Sequence, residues 1–317
     1  MLRIEIRPFA DEHLDDVAGL LAQRHARHRE SEPLLSGNLD FRAEVEAVWN
    51  SEEPSGAVAL RNGEFAGYLL GVRRDDTVWG PNVWVELAGH AVREPDLVRD
   101  LYAVAAAGWV EQGRTRHYAV VPVSDRELVD AWFRLSFGAQ HAFGIQEVPA
   151  EPHSSSTGFL VRRAEPGDAQ VAARIDALLP EYQQRSPGFS GGGLPDADNL
   201  LAEYREALSS EDEAILLAEQ DGKAVGLLTM APVERSGMHT GLARPERACI
   251  LGFAATVPEV RGSGAGLALT EAGFAWAREQ GYETVVVDWR ETNLLSSRFW
   301  PRRGFRRTFL RLYRSIP

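Results

Sequence analysis

The chain has 317 residues, with 34 basic against 46 acidic side chains and a formal net charge of −12. That balance speaks against nucleic acid or an anionic membrane as the main partner, and a single cysteine, Cys249, leaves room for neither an intrachain disulfide framework nor a Cys-rich zinc site. The length suits two domains and the 44% apolar content suits packed cores. The N-terminal segment lacks the form of a secretion signal and the longest apolar run, Tyr102 to Val110, is too short to span a bilayer, so a cytoplasmic protein is expected.

Taken in order, the first half opens on a strand, IEIRPF from Ile4, and a helix marked by Leu14, Val17, Leu20 and Leu21 at helical spacing. His25 and His28 lie three apart on that helix, a spacing that permits metal binding, but no third ligand stands near in sequence. They read as surface residues, and no metal is expected. A polar segment, HRESEPLLSGNLD, precedes a hairpin centred on Asn62-Gly63. From Pro149 to Gly158 the run PAEPHSSSTG has no apolar period and reads as a linker. The second half repeats the order: FLVRRA, a helix carrying Val171, Ile175, Leu178 and Leu179, the glycine-rich segment Arg185 to Asp198, and a hairpin at Asp221-Gly222.

A shift of 168 positions superimposes Arg93 on Arg261, Glu111-Gln112-Gly113 on Glu279-Gln280-Gly281, Trp132 on Trp300 and Phe137 on Phe305. Several matches in one gapless register point to duplication. The expected organisation is therefore two copies of one α/β unit, over 1–148 and 159–317, joined by the linker 149–158.

In the second copy the strand CILGFAATV leads into RGSGAG, Arg261 to Gly266, and then a helix that ends at Gly281. A strand feeding a glycine-rich turn at a helix N-terminus presents unpaired N–H groups to an anion. Such a turn is also compatible with a helix start that holds no ligand. A P-loop is excluded because no Gly-Lys-Ser/Thr follows. A dinucleotide site finds support in Asp288 at the end of VVVDW, but Leu267 stands where a third glycine belongs, and three strands precede a motif that normally opens its domain.

These residues resemble the GNAT superfamily of acyl-CoA-dependent N-acyltransferases, whose R/Q-x-x-G-x-G/A signature is met by Arg261, Gly264 and Gly266. Its downstream pattern is met by Asn293, Trp300, Gly304 and Phe305. The resemblance covers Phe159 to Tyr313 well and Ile4 to Val148 in degenerate form. It implies two GNAT-like units, each a mixed, mainly antiparallel sheet flanked by helices, with acetyl-CoA as acyl donor. Carried over by position, the amides of Arg261, Gly262, Ser263, Gly264, Ala265 and Gly266 would hold the pyrophosphate. The backbone of Ala255, Thr256 and Val257 would take the acetyl carbonyl and pantetheine amides, and Asn293 the pantetheine arm. Arg302 and Arg303 could reach the 3′-phosphate or be solvated charges.

The pattern departs from the family at Trp300, where many members carry the tyrosine that protonates the leaving thiolate; an indole cannot be that acid. Tyr313 is the candidate substitute, and Asp288 the first candidate base ahead of Glu246 and Glu291. His239 falls in a long segment that could cover the acceptor pocket. In the first copy Glu94, Pro95, Asp96 and Val98 replace Gly262, Ser263, Gly264 and Gly266, so side chains and two carboxylates oppose a diphosphate. The expectation is one acyl-CoA site per chain and acetyl transfer to the primary amine of a small molecule, by a monomer with an internal pseudo-dimer or by a homodimer. The alternatives are a non-catalytic CoA-binding or interaction protein, a tandem acetyltransferase like mycothiol synthase, and a nicotinamide-binding oxidoreductase.

Overall fold

The computed structural model describes residues 4–76, 79–151, 158–190 and 193–317, so most of the expected linker, 152–157, lies outside the described residues. The chain forms two units. The first comprises Met1–Phe143 with Gly241–Arg244 and Arg307–Pro317, and the second Gly144–Thr240 with Pro245–Arg306.

The first half of the chain runs β1 (Ile4–Pro8), α1 (Leu14–Ser31), α2 (Phe41–Trp49), β2 (Pro54–Arg61), β3 (Glu64–Asp76), β4 (Gly80–Val85), β5 (His90–Val92), α3 (Leu97–Glu111), β6 (Arg116–Pro122), α4 (Arg126–Phe133) and β7 (Gly138–Glu147). The second half runs β8 (Leu160–Arg163), α5 (Ala169–Asp176), α6 (Leu178–Gln184), α7 (Ala197–Ala207), β9 (Ala214–Gln220), β10 (Lys223–Pro232), β11 (Ala248–Thr256), α8 (Ala265–Glu279), β12 (Thr284–Arg290), α9 (Ser296–Arg302) and β13 (Arg306–Ser315). Among the described residues no helix is long and apolar enough to cross a membrane.

Both halves form the expected mixed, mainly antiparallel sheet flanked by helices. In the first unit β1–β2, β2–β3, β3–β4 and β6–β13 are antiparallel, and β4–β6 is parallel. In the second, β8–β9, β9–β10 and β10–β11 are antiparallel and β11–β12 parallel. Each hairpin turns where the sequence asks it to: Asn62 and Gly63, and again Asp221 and Gly222, all have positive φ, which matches a two-residue turn to the twist of its strands. The duplicated aromatic pair packs alike in both copies. Trp132 meets Phe137 edge-on at 4.9 Å, and Trp300 meets Phe305 edge-on at 5.5 Å.

The last strand, β13, belongs to the first unit for all but its first residue, paired with β6 through Leu312↔Ala119 and Tyr313↔Tyr118. Conversely, the end of β7 belongs to the second unit, where a Cβ at Gly144 would lie 2.4 Å from the Trp289 ring.

His25 and His28 are not surface residues. Both are 2% exposed, His25 Nε2 lying 2.8 Å from the Ser36 carbonyl and His28 edge-on to Phe309. The helix turns a wider stripe inward than Leu14, Val17, Leu20 and Leu21 alone indicate, because β13 supplies a further apolar partner. Burial, with Arg24 nearby, lowers the pKa of His28 and of His90 to about 3. Unfolded histidines titrate near 6.5, so between about pH 6.5 and 3 the unfolded chain binds protons that the folded one does not, and stability falls as pH falls. The expected loss is on the order of 4 kcal/mol for each of the two residues across that window. Urea midpoints measured from pH 7 to pH 4 should drop steadily, and His90→Gln should flatten the slope.

Candidate functional site

The site of the second unit begins with a strand pair that stops pairing. β11 and β12 share rungs only from Ala248↔Thr284 to Leu251↔Val287, yet β11 continues to Thr256 and β12 to Arg290. On its other side β11 stays paired with β10 out to Gly226↔Thr256, and a bulge at Gly252 lets the strand bend away from β12. The inner backbone edge of residues 252–256 is thereby left without a strand partner.

The open edge leads to the N-terminus of α8. Gly264 is the N-cap with φ +108°, a conformation natural to glycine and strained for any L side chain. It gives no side-chain cap, and the first turn of α8 holds no acidic residue. Ala268 N–H closes the first turn onto the Gly264 carbonyl at 3.0 Å. The amides of Arg261 and Ser263 are spent on Pro258 and Val260, while those of Gly262, Gly264, Ala265, Gly266 and Leu267 donate to no group among the described residues. Five amides at a positive helix end make an anion cradle.

Strand edge and cradle open on one cleft of about 390 Å3. Of the ten cofactor positions named above, Ala255, Thr256, Arg261, Gly262, Gly264, Gly266 and Asn293 border it, whereas Val257, Ser263 and Ala265 do not. The Val257 amide is occupied by the Val225 carbonyl at 2.9 Å. Asn293 is 4% exposed, and its Oδ1 accepts from the amides of Leu295 and Ser296 at 3.0 and 3.3 Å. Only its Nδ2 is thus left for a ligand. Trp300 borders the cleft, as does Arg303, while Arg302 is exposed and does not.

Further lining comes from residues the sequence reading missed as site residues: Leu178, Leu179 and Tyr182 on α6, and Phe299 on α9. Tyr182 lies under the Arg261 guanidinium, 5.2 Å from its ring centre. The signal for Leu178 and Leu179 was their helical spacing, which marks an inward face without telling core from cleft.

The two residues of the expected catalytic pair fall in different units. Tyr313 belongs to the first, its ring 5.0 Å from that of Tyr118 on the neighbouring strand β6. Asp288 stands one residue beyond the last rung shared by β11 and β12, half-buried and outside the cleft wall. Glu246 and Glu291 also lie off the wall, Glu291 accepting from Trp289 Nε1 at 3.2 Å. His239 is buried. Among the described residues the cleft wall has no Asp, Glu or His.

Residues 176–305 match the model of the acetyltransferase (GNAT) family. The chain carries a GNAT acyltransferase domain. Over its whole length it is also similar in fold to solved structures of that kind. One is a GCN5-related N-acetyltransferase from Sphaerobacter thermophilus, at 15% identity and TM-score 0.59, covering 99% of this chain and 97% of that one. Another is a tandem GNAT protein from the clavulanic acid biosynthesis pathway, at 13% identity and TM-score 0.52, covering 99% and 98%. No curated protein matches the sequence.

The first unit shows the same corner built differently. In α3 the amides of Leu97, Val98 and Arg99 donate to the carbonyls of Glu94, Pro95 and Asp96 at 3.0, 3.3 and 3.0 Å, so the helix end that is open in the GNAT domain is closed on itself. Glu94 pairs with Arg61 at 2.6 Å and Asp96 with Arg99 and Arg134. These carboxylates are neutralised by neighbours, which makes their repulsion of a diphosphate smaller than the sequence suggested. Spent amides and filled space are the stronger obstacles.

Proposed function

We propose that the GNAT domain transfers an acetyl group from acetyl-CoA to the primary amine of a small molecule in the cytoplasm, and that each chain binds one acyl donor. The observation that carries this reading is the continuity of the parted β11 edge with the uncapped, glycine-lined start of α8. The free edge suits the alternating amides of a pantetheine arm, and the cradle suits a diphosphate. Asn293 Nδ2 adds a donor along the arm, and Trp300 closes one wall.

The donor supplies a thioester: the amine nitrogen bonds to its carbonyl carbon, the C–S bond breaks, the thiolate leaves with the electron pair, and the proton given up by the nitrogen passes by way of water to that thiolate. A thiol pKa near 8.5 makes that group a tolerable leaving group without a phenolic acid, so Trp300 in place of tyrosine is compatible with turnover. The chain's own part is to hold the thioester in a dry cleft and aim it. The cleft wall has no carboxylate or histidine among the described residues, so none of its side chains can serve as the base that frees the amine for attack. That same lack of a base favours, as a second reading, a protein that binds CoA without turnover.

Calorimetric titration with acetyl-CoA, followed by thiol release across a panel of amines, separates the two. One site with turnover of any amine supports the enzyme; one site with none supports the binder. No binding removes both.

A further inference from the structure

We propose that Arg303 recognises a second, separate anion on the acyl donor, the phosphate on its ribose 3′-oxygen, and makes the cleft selective for CoA over 3′-dephospho-CoA. This rests on the reading of the cleft as the donor site and adds a specificity-determining residue to it.

Two cations border the cleft, Arg261 and Arg303, and each is laid over an aromatic ring: Arg261 over Tyr182 at 5.2 Å and Arg303 over Phe299 at 5.6 Å. A ring face orients a guanidinium but leaves its N–H donors and its charge available. Elsewhere in this domain an arginine such as Arg162 is closed off by Asp168 at 2.6 Å and Glu219 at 2.8 Å. Arg303 Nε, by contrast, is buried with no hydrogen-bond partner, and no carboxylate stands on the described cleft wall. A buried guanidinium N–H that meets no acceptor is costly, and an anion on the cleft side would complete it.

The placement tells which anion. The Phe299 ring also touches the amide cradle, since a Cβ on Gly266 would lie 3.4 Å from its Cε2 and Cζ atoms. Arg303, laid over the same ring, therefore stands near the cradle without being one of its amides. A diphosphate would already be served by five amides and Arg261. A cation set apart from them calls for a ligand with a further phosphate at a distance from its diphosphate, which CoA has and dephospho-CoA lacks. Arg302, one residue earlier and exposed, is the natural control.

The test is a comparison of Kd for CoA and 3′-dephospho-CoA in the wild type, Arg303→Met and Arg302→Met, with thermal melting as the check on folding. A charge-assisted contact of the usual strength should give the wild type a roughly ten- to hundredfold preference for CoA. Arg303→Met should lose that preference through CoA alone, and Arg302→Met should keep it. Equal wild-type affinities would overturn the inference. So would a fall in both ligands together, which would mean that Arg303 only supports the end of α9, or an altered KM for an anionic acceptor with CoA affinity intact. If neither ligand binds the wild type, the donor reading fails first and this inference goes with it. Should Arg303→Met fail to fold, Arg303→Gln gives the same comparison with a shorter polar side chain.

Discussion

Gly266→Asp should weaken acetyl-CoA binding at least a hundredfold while leaving the melting temperature within a degree or two of the wild type. Gly266 is the second residue of α8, and a Cβ there meets Phe299 at 3.4 Å, an ordinary van der Waals contact. Its φ is not positive, unlike the +108° of Gly264, so the substitution introduces no backbone strain. An aspartate in the first turn of a helix is favourable by a few tenths to about 1 kcal/mol, because it complements the positive helix end. That benefit comes from the same field a bound diphosphate would use. With the carboxylate about 5 Å from a phosphate and an effective dielectric near 20, the repulsion is on the order of 3 kcal/mol, enough for a factor of a hundred. Calorimetry and differential scanning calorimetry on one preparation decide it. Unchanged affinity would show that the cradle is not where the donor binds, and a collapse in melting temperature would show that the variant reports on folding instead.

How far the sequence foretold this site depends on how local each feature is. The glycine turn and the helix behind it are contiguous in the chain and Asn293 follows the next strand, and seven of the ten positions carried over from the family pattern border the cleft. The surroundings of Tyr313 were hidden for the opposite reason. A strand carries no label for the neighbour it will pair with, and nothing in RRTFLRLYRS announces that β13 joins β6. The repeat frame shows the same limit on a finer scale. The start of α3 at Leu97 and that of α8 at Ala265 differ by 168, as the gapless alignment requires, but the parallel rungs Asn82↔Arg116 and Ala248↔Thr284 show β4 and β11 differing by 166 (248 − 82). The first copy is thus two residues shorter between its parting strands and its helix. That deficit falls in a stretch with no matching residues to reveal it, and it shapes what fills the first unit.

Replacing Arg24 should be the most destabilising single change in the first unit, on the order of 3–5 kcal/mol for Arg24→Met. After Val85 the pairing with β6 stops, and the chain bulges through a turn at Glu86–Gly89, closed by a 2.8 Å bond from the Gly89 amide to the Glu86 carbonyl, before it resumes as β5 in the same sense along β3. The turn leaves carbonyls pointing into the interior, and α1 answers with Arg24, whose guanidinium donates to the carbonyls of His90 and Leu87. His90 in turn lies 3.1 Å from the Val120 carbonyl on β6 and edge-on to Trp132, the counterpart of the cleft-lining Trp300. The corner that is a cleft in the GNAT domain is here packed with the chain's own polar side chains. Burial lowers the Arg24 pKa to about 10, yet that still leaves it charged at neutral pH. Methionine would match its length and fill the space, so the loss should come from two orphaned carbonyls and not from a cavity. Urea unfolding measures it, and methylguanidinium at millimolar concentration should restore part of the stability of Arg24→Ala. By the same reasoning, grafting glycine at Glu94, Asp96 and Val98 should leave the chain with one acetyl-CoA site, because the amides of α3 stay closed and Arg24 and His90 still hold the space of the arm. A second calorimetric site in that triple variant would show that the carboxylates alone had kept the donor out.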